Sequence, residues 1–222
     1  MKILLSLLVV CSISITKAQN TEAHIVYDIK MESSEPEIEA QLAMFSGSTF
    51  ELFFKDKLSK QILSMGALLT TTTVIDGESE KGLMLTSGMT GKRAAPFELN
   101  DLKDLEQEEE GDVDIQFIDE EKEILGYTCK KAIIMDEEGN ETTYWYTEEL
   151  SHATTDGKYI NDEIPGMPLS FAVVTPQITM DFTASSVVTK IKKAKSVFSL
   201  DIPEGYSEVT LDEFMGGPMG GQ

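Results

Sequence analysis

The chain has 222 residues, with 39 acidic side chains against 18 basic ones and a formal net charge of −21. So negative a chain is repelled by nucleic acid and by anionic membrane surfaces, which removes both as default partners. Its two cysteines, Cys11 and Cys129, are too few for a disulfide framework, so a core must form by burial alone, and the length suits one such core.

Met1-Lys2, the apolar run Ile3 to Ile15 and "TKAQN" make a secretory leader cut after Ala18, with Thr16 and Ala18 as the small residues at the exit. The run is shorter than the roughly 20 apolar residues a bilayer needs. No second such run follows, so the expected product is an exported protein, periplasmic or secreted, without a transmembrane segment. A lipoprotein reading would acylate Cys11, but Val10 stands where a small residue is wanted. Removal of the leader leaves Cys129 with no partner for an internal disulfide.

"HIVYDIKM" alternates, placing Ile25, Tyr27, Ile29 and Met31 on one face of a strand. "SEPEIEAQLAMF" changes period. Ser34 and Glu37 have capping-box spacing, and Ile38, Leu42 and Phe45 form the stripe of a short helix. "TFELFFKDK" returns to strand with Phe50, Leu52 and Phe54 together, and "LSKQILSM", "LLTTTTVID" and "KGLMLTSGMTGKRAA" read as further strands. Asp76-Gly77 and the Gly88 to Gly91 segment supply turns. Residues 98–123 are strongly acidic and read as a solvated loop or short helix.

Two hairpins follow. "GYTCKKAIIM" and "TTYWYTEEL" flank "DEEGN", and Leu169 to Val174 and Ile178 to Val188 flank "TPQ". In the last arm Ile178, Met180, Phe182, Ala184 and Val188 share a face. "SVFSLDIPEGY" closes the ordered part, and the Gly- and Met-rich residues 215–222 read as a flexible tail. The expected organisation is a leader over 1–18, one β-rich domain over 19–214 and that tail. Its roughly nine to eleven strands and one or two helices predict a mainly β, curved antiparallel sheet with helix over its open side.

The succession "EILGYTCKKAII", "YWYTEEL", "IPGMPLSF" and "FSLDIPEGYSEVTLDEF" resembles the DUF4412 family of exported Bacteroidetes proteins, and is similar to the related GLPGLI proteins. The likeness spans nearly all of the chain after the leader, although "PGMPLSF" departs from the motif that names the GLPGLI group. It implies a fold like the LolA- and LppX-type lipoprotein carriers, a half-open antiparallel barrel closed by helices over an apolar cavity. It implies no catalytic residues.

Cys129 falls on the apolar face of its strand by alternation, with Leu125, Tyr127, Ile133 and Met135, and reads as a core side chain. A reactive thiol or an intermolecular disulfide is the alternative. His24 and His152 stand in no motif, "DEEGNETT" lacks the glycine and closing glutamate of an EF-hand, and Met215 and Met219 have no supporting ligand, so no metal site is expected. No nucleophile elbow or P-loop occurs, and neither enzyme activity nor a cofactor is expected.

What remains is apolar surface. Phe50, Leu52, Phe54, Leu83, Leu85, Tyr127, Trp145, Phe171, Met180 and Phe182 are the candidate lining of a hydrophobic ligand cavity, for a lipid, acyl chain or lipoprotein. The plain alternative is that they fill a core. The matching functional alternative is an envelope protein-interaction or scaffold module without a small ligand.

Overall fold

The computed structural model describes residues 20–89, 91–106, 114–135, 139, 141–151 and 164–216. The leader 1–18, Cys11, His152 and residues 217–222 lie outside the described residues.

Alternating apolar residues form strands because burying every second side chain satisfies the core while the backbone pairs sideways. β1 (Glu22–Glu32) buries Ala23, Ile25, Tyr27 and Ile29 in this way, and β2 (Thr49–Lys55) buries Phe50, Leu52 and Phe54. After them come β3 (Leu58–Met65), β4 (Leu69–Asp76), β5 (Lys81–Gly88) and β6 (Gly91–Glu98). The second half supplies β7 (Asp114–Ile124), β8 (Tyr127–Met135), β9 (Glu141–Thr147), β10 (Met167–Val174), β11 (Thr179–Val188) and the two-residue β12 (Ser207–Glu208).

Among the described residues these twelve strands form one open sheet, ordered β12-β6-β5-β4-β3-β2-β1-β11-β10-β9-β8-β7. The molecule is therefore mainly β, as its patterning predicts. Every neighbouring pair of strands is antiparallel except β12 and β6. Pro96, inside β6, is tolerated because β12 pairs with β6 only at Arg93 and Ala94, leaving the ladder beside Pro96 open.

The sheet curls on itself in its second half. Asn20, just before β1, donates its amide to the Glu149 carbonyl at 2.9 Å and accepts from the Ser151 amide at 3.0 Å. The Tyr27 hydroxyl donates to the Pro168 carbonyl on β10 at 2.8 Å. Both contacts bypass β11, which separates β1 from β10 in the ladder order. The inside of the curl is aromatic. Phe171 and Phe182 stack at 4.7 Å between centroids, Tyr144 stacks on Phe171 at 5.5 Å, and Tyr27 meets Phe171 edge-on at 5.8 Å.

The helices are short: α1 (Pro36–Leu42), continued by a 3-10 turn over Ala43–Phe45, then α2 (Leu99–Glu106), α3 (Ala194–Val197) and α4 (Leu211–Met215). In α1 the expected stripe is present, with Leu42 buried and Ile38 and Phe45 half-buried. The expected capping box at Ser34 is not: Glu35 is the N-cap, without a side-chain cap. Ser33 takes over instead, its hydroxyl accepting from the Glu35 amide while its own amide donates to Glu39. A complete capping box occurs at Thr210 and Glu213 of α4, so the helix runs through Met215 into what reads from the sequence as tail.

Further departures follow, two of them slips of alternation within strands. The acidic block is not a loop throughout: α2 occupies its start and β7, an eleven-residue strand at the sheet's edge, its end. Between β1 and β11 the register slips so that Val26 faces Ser186 and Tyr27 faces Ala184. Ser185 is the bulged residue, and beyond it parity reverses. Val188, expected on the buried face, is 47% exposed, and Val187 packs on the core in its place. In β8 the alternation slips after Cys129, so that Ala132 and Ile134 are buried where Ile133 and Met135 are expected. Leu125 is not on the strand at all. It occupies the two-residue turn joining β7 to β8, with φ +52, and is 48% exposed.

Candidate functional site

Directly paired residues of an antiparallel ladder share a face of the sheet, so the register sorts the ten candidate residues. Phe50, Leu52 and Phe54 lie on the inner face, in rows continued by Leu63, Gln61 and Ser59 of β3 and by Thr71, Thr73 and Ile75 of β4. Phe182 pairs with Ile29 and with Phe171, and Met180 with Met31 and Val173, again on the inner face. Phe50 meets Phe182 edge-on at 6.0 Å and lies 5.7 Å from the Tyr27 ring, tilted by 33°, which joins the two halves of the face into one aromatic cluster.

Leu83 and Leu85 are not part of it. Leu83 lies in the row Phe53, Lys60, Val74, Leu83, Pro96, and Leu85 lies in the row through Ile62 and Thr72. Both rows are one residue out of phase with Phe50, Leu52 and Phe54, so both leucines point to the outer face. Trp145 is also out of phase, alternating with the buried Tyr144 and Tyr146. It sits beneath two ammonium groups, Lys122 at 4.2 Å and Lys131 at 5.8 Å from its ring centre. Tyr127 is half-buried against the core at the start of β8. The ten residues thus occupy both faces, and the inner-face set comprises Phe50, Leu52, Phe54, Phe171, Met180 and Phe182.

Within that set burial is graded. Phe50, Leu52, Phe54, Phe171 and Phe182 are at most 3% exposed, and the rings of Phe50 and Phe171 both pack on that of Phe182. They are floor rather than open wall. Toward the end of the strands the row Ile29–Phe182–Phe171 gives way to Met31–Met180–Val173, whose side chains are half-buried and still packed on the cluster. Next to this rim, on the neighbouring residues, lies an open polar depression of about 370 Å³ lined by Glu32, Ser33, Ser34, Glu39 and Thr179.

The outer face of β1–β6 is covered by the chain that follows β11. The Ile191 amide donates to the Glu22 carboxylate at 2.7 Å, and Glu22 also accepts from the Lys55 ammonium at 2.7 Å. The far end is held where β12 pairs with β6 and Lys92 sits 5.6 Å over the Tyr206 ring. Both anchors are on the outer side, so residues 191–206 cross it as a strap. Beneath its path Val74, Leu83 and Ala94 are buried, and on it Phe198 is buried too. Burial along this path also lowers the pKa of Lys60, with Glu51 opposing. His24 belongs to the same face, stacked on Phe53 at 3.8 Å with Nε2 2.8 Å from Glu51.

Cys129 is fully buried in the core cluster, as the alternation predicts. Burial pushes its thiol up to about 11, with the Lys122 ammonium pulling the other way. Among the described residues no group of three or more His, Cys, Asp or Glu side chains is placed to hold a metal ion, and no helix is long and apolar enough to cross a membrane. The row Met31–Val173 escapes sequence reasoning as a unit because its members come from three strands; the alternations ending at Met31 and running through Met180 signal two of its members singly.

No family model matches the chain, and no curated protein matches it. Among solved structures, two crystal forms of PNGF-II, in space groups C2 and P21, align with 88% of this chain at 15% identity and a TM-score of 0.46. The chain spans about a third of their length, 32% of each. A LolA superfamily protein from Nitrosomonas europaea aligns with 82% of this chain and 92% of its own at 10% identity and a TM-score of 0.25.

Proposed function

We propose that the chain is an exported, non-enzymatic binding protein of the half-barrel carrier type, which holds an apolar chain such as an acyl group at the open end of its inner face. One observation supports the reading above the others: the inner face passes without a break from a buried aromatic floor into the half-buried row Met31–Met180–Val173. Methionine is suited to such a rim because its unbranched, polarizable side chain adapts to an irregular apolar guest. The floor residues Phe50, Phe171 and Phe182 leave the guest to lie against the rim rather than within the curl. The net charge of −21 would keep a loaded carrier dispersed in water. The resemblance of the sequence to exported DUF4412 proteins points the same way, as does the leader expected over 1–18.

The test is native mass spectrometry with lipid extraction, on protein purified without detergent from its own envelope, followed by titration with a fluorescent fatty acid. A stoichiometric acyl or lipid adduct, or saturable uptake of the fatty acid that Met180→Glu abolishes, is the expected result. A bare mass together with no uptake would end the carrier reading.

A further inference from the structure

We propose that the basic turn over Lys190 to Lys195 docks the protein on the anionic surface of a lipid bilayer. The net charge of −21 opposes such a partner on average, but the charge is unevenly spread. Lys190, Lys192, Lys193 and Lys195 fall within "KIKKAK", and no acid stands between Asp181 and Asp201. The proposal is independent of the ligand reading. It concerns the end of β11 where Val188 pairs with His24, whereas the Met180 rim pairs with Met31 at the other end, roughly 20 Å along the strand.

The turn is built to present its lysines outward. Ile191 and Ala194 are half-buried and Phe198 is buried, so apolar side chains pin the segment to the sheet while all four lysines stay exposed. Lys193, with φ +56, bends the chain into α3. Nothing on the protein neutralises these charges. Lys30, Lys55, Lys81, Lys130 and Lys131 each have a glutamate partner, whereas among the described residues none of the four turn lysines stands in an ion pair. Glu22, the carboxylate that feels Lys190, is already held by Lys55 and by the Ile191 amide. At physiological salt, exposed charges are largely screened beyond about 8 Å, so a surface that touches the turn meets the lysines rather than the distant acids. The chemistry of the turn selects lipid over protein. Protein interfaces are depleted in lysine and enriched in arginine and aromatic rings, and the exposed residues of the turn include neither. Val188, just before it, is 47% exposed. Clustered lysine beside an exposed aliphatic side chain suits the headgroup layer of an anionic bilayer, where the ammonium groups meet phosphates and the aliphatic group meets the acyl boundary.

The test is cosedimentation with vesicles at low salt, on protein and variants purified from the envelope of the same host, so that every sample carries the same N-terminus. Vesicles of phosphatidylglycerol mixed with phosphatidylcholine are expected to bind the protein, vesicles of phosphatidylcholine alone to leave it free, and added salt to release it. Lys192→Gln and Lys195→Gln are each expected to weaken binding about fivefold. The pair Lys30→Gln with Lys130→Gln changes the net charge as much as those two together and is expected to leave binding unchanged. Circular dichroism confirms that the variants fold. Equal losses from the two pairs would reduce the interaction to net charge and overturn the proposal. Equal binding to both kinds of vesicle would overturn it as well. So would soluble polyglutamate held through Lys192 and Lys195 while vesicles are not, which would assign the turn to an acidic protein.

Discussion

Cys129 shows how much one side chain's surroundings decide. The thiolate is the reactive form of cysteine, and here a fully buried thiol is pushed up to about 11. Lys130 and Lys131 follow it in the chain, yet their ammonium groups reach away to Glu148 and Glu120. Iodoacetamide at about pH 8 should therefore leave Cys129 unlabelled in the native protein and modify it quickly in urea; rapid native labelling would contradict its core position. Leu125 makes the opposite case, an apolar residue in a place that does not suit it. At φ +52 its Cβ crowds the following carbonyl, at a cost of roughly 1–2 kcal/mol. Asparagine followed by Gly126 is the preferred pair for such a two-residue turn. Leu125→Asn is expected to stabilise the protein by about 1 kcal/mol, seen as a higher urea midpoint at unchanged m-value.

At the scale of elements, the first end of the strap over residues 191–206 is held by a single carboxylate. The Lys55 ammonium and the Ile191 amide together hold Glu22 below the ordinary carboxylate range. A depressed carboxylate contributes stability that is present above its unfolded value, near 4.5, and is lost as pH falls through the folded value. Acid should thus loosen the strap, raising exchange of the Ile191 amide before the core strands open. In Glu22→Gln that amide should exchange faster at neutral pH, and the acid-dependent step should disappear. An unchanged profile in the variant would place the strap's hold elsewhere. The Ser185 bulge is the companion case, where one extra residue exchanges Val188 for Val187 at the core.

Across the whole molecule, the aromatic curl ties stability to alkaline pH. Burial raises the phenol of Tyr144 to about 12, raises that of Tyr27 further, and raises the Cys129 thiol to about 11. The unfolded chain releases these protons first, from about pH 9 upward, so the folded state binds more protons between the two ranges. Their contribution is complete below about pH 9 and is lost as pH rises through 11 to 12. Urea midpoints should fall steadily over that window, and Tyr144→Phe should flatten the fall. A midpoint insensitive to pH there would mean the rings are not buried as described.

Much of this molecule is legible along the chain. Alternation over Ile25 to Met31, over Phe50 to Phe54 and over the two hairpins marks strands, because burying one face imposes a period of two that needs no knowledge of the neighbours. The same local rule places Cys129 in the core, and turn chemistry marks Asp76, whose carboxylate accepts from the amides of Glu78 and Ser79. Register is different. Leu83 is as apolar as Leu52, and only the pairing of β2 through β5 sends the two to opposite faces. Trp145 leaves the apolar lining for the same reason. The acid-rich residues of β7 join the sheet although like charges favour solvation, because pairing with β8 satisfies their backbone and an edge leaves their side chains in water. Periodicity within a strand is a property of the sequence; which face is inside, where a bulge reverses it and what lies at the margin are properties of contacts between distant segments, and only the tertiary structure decides them.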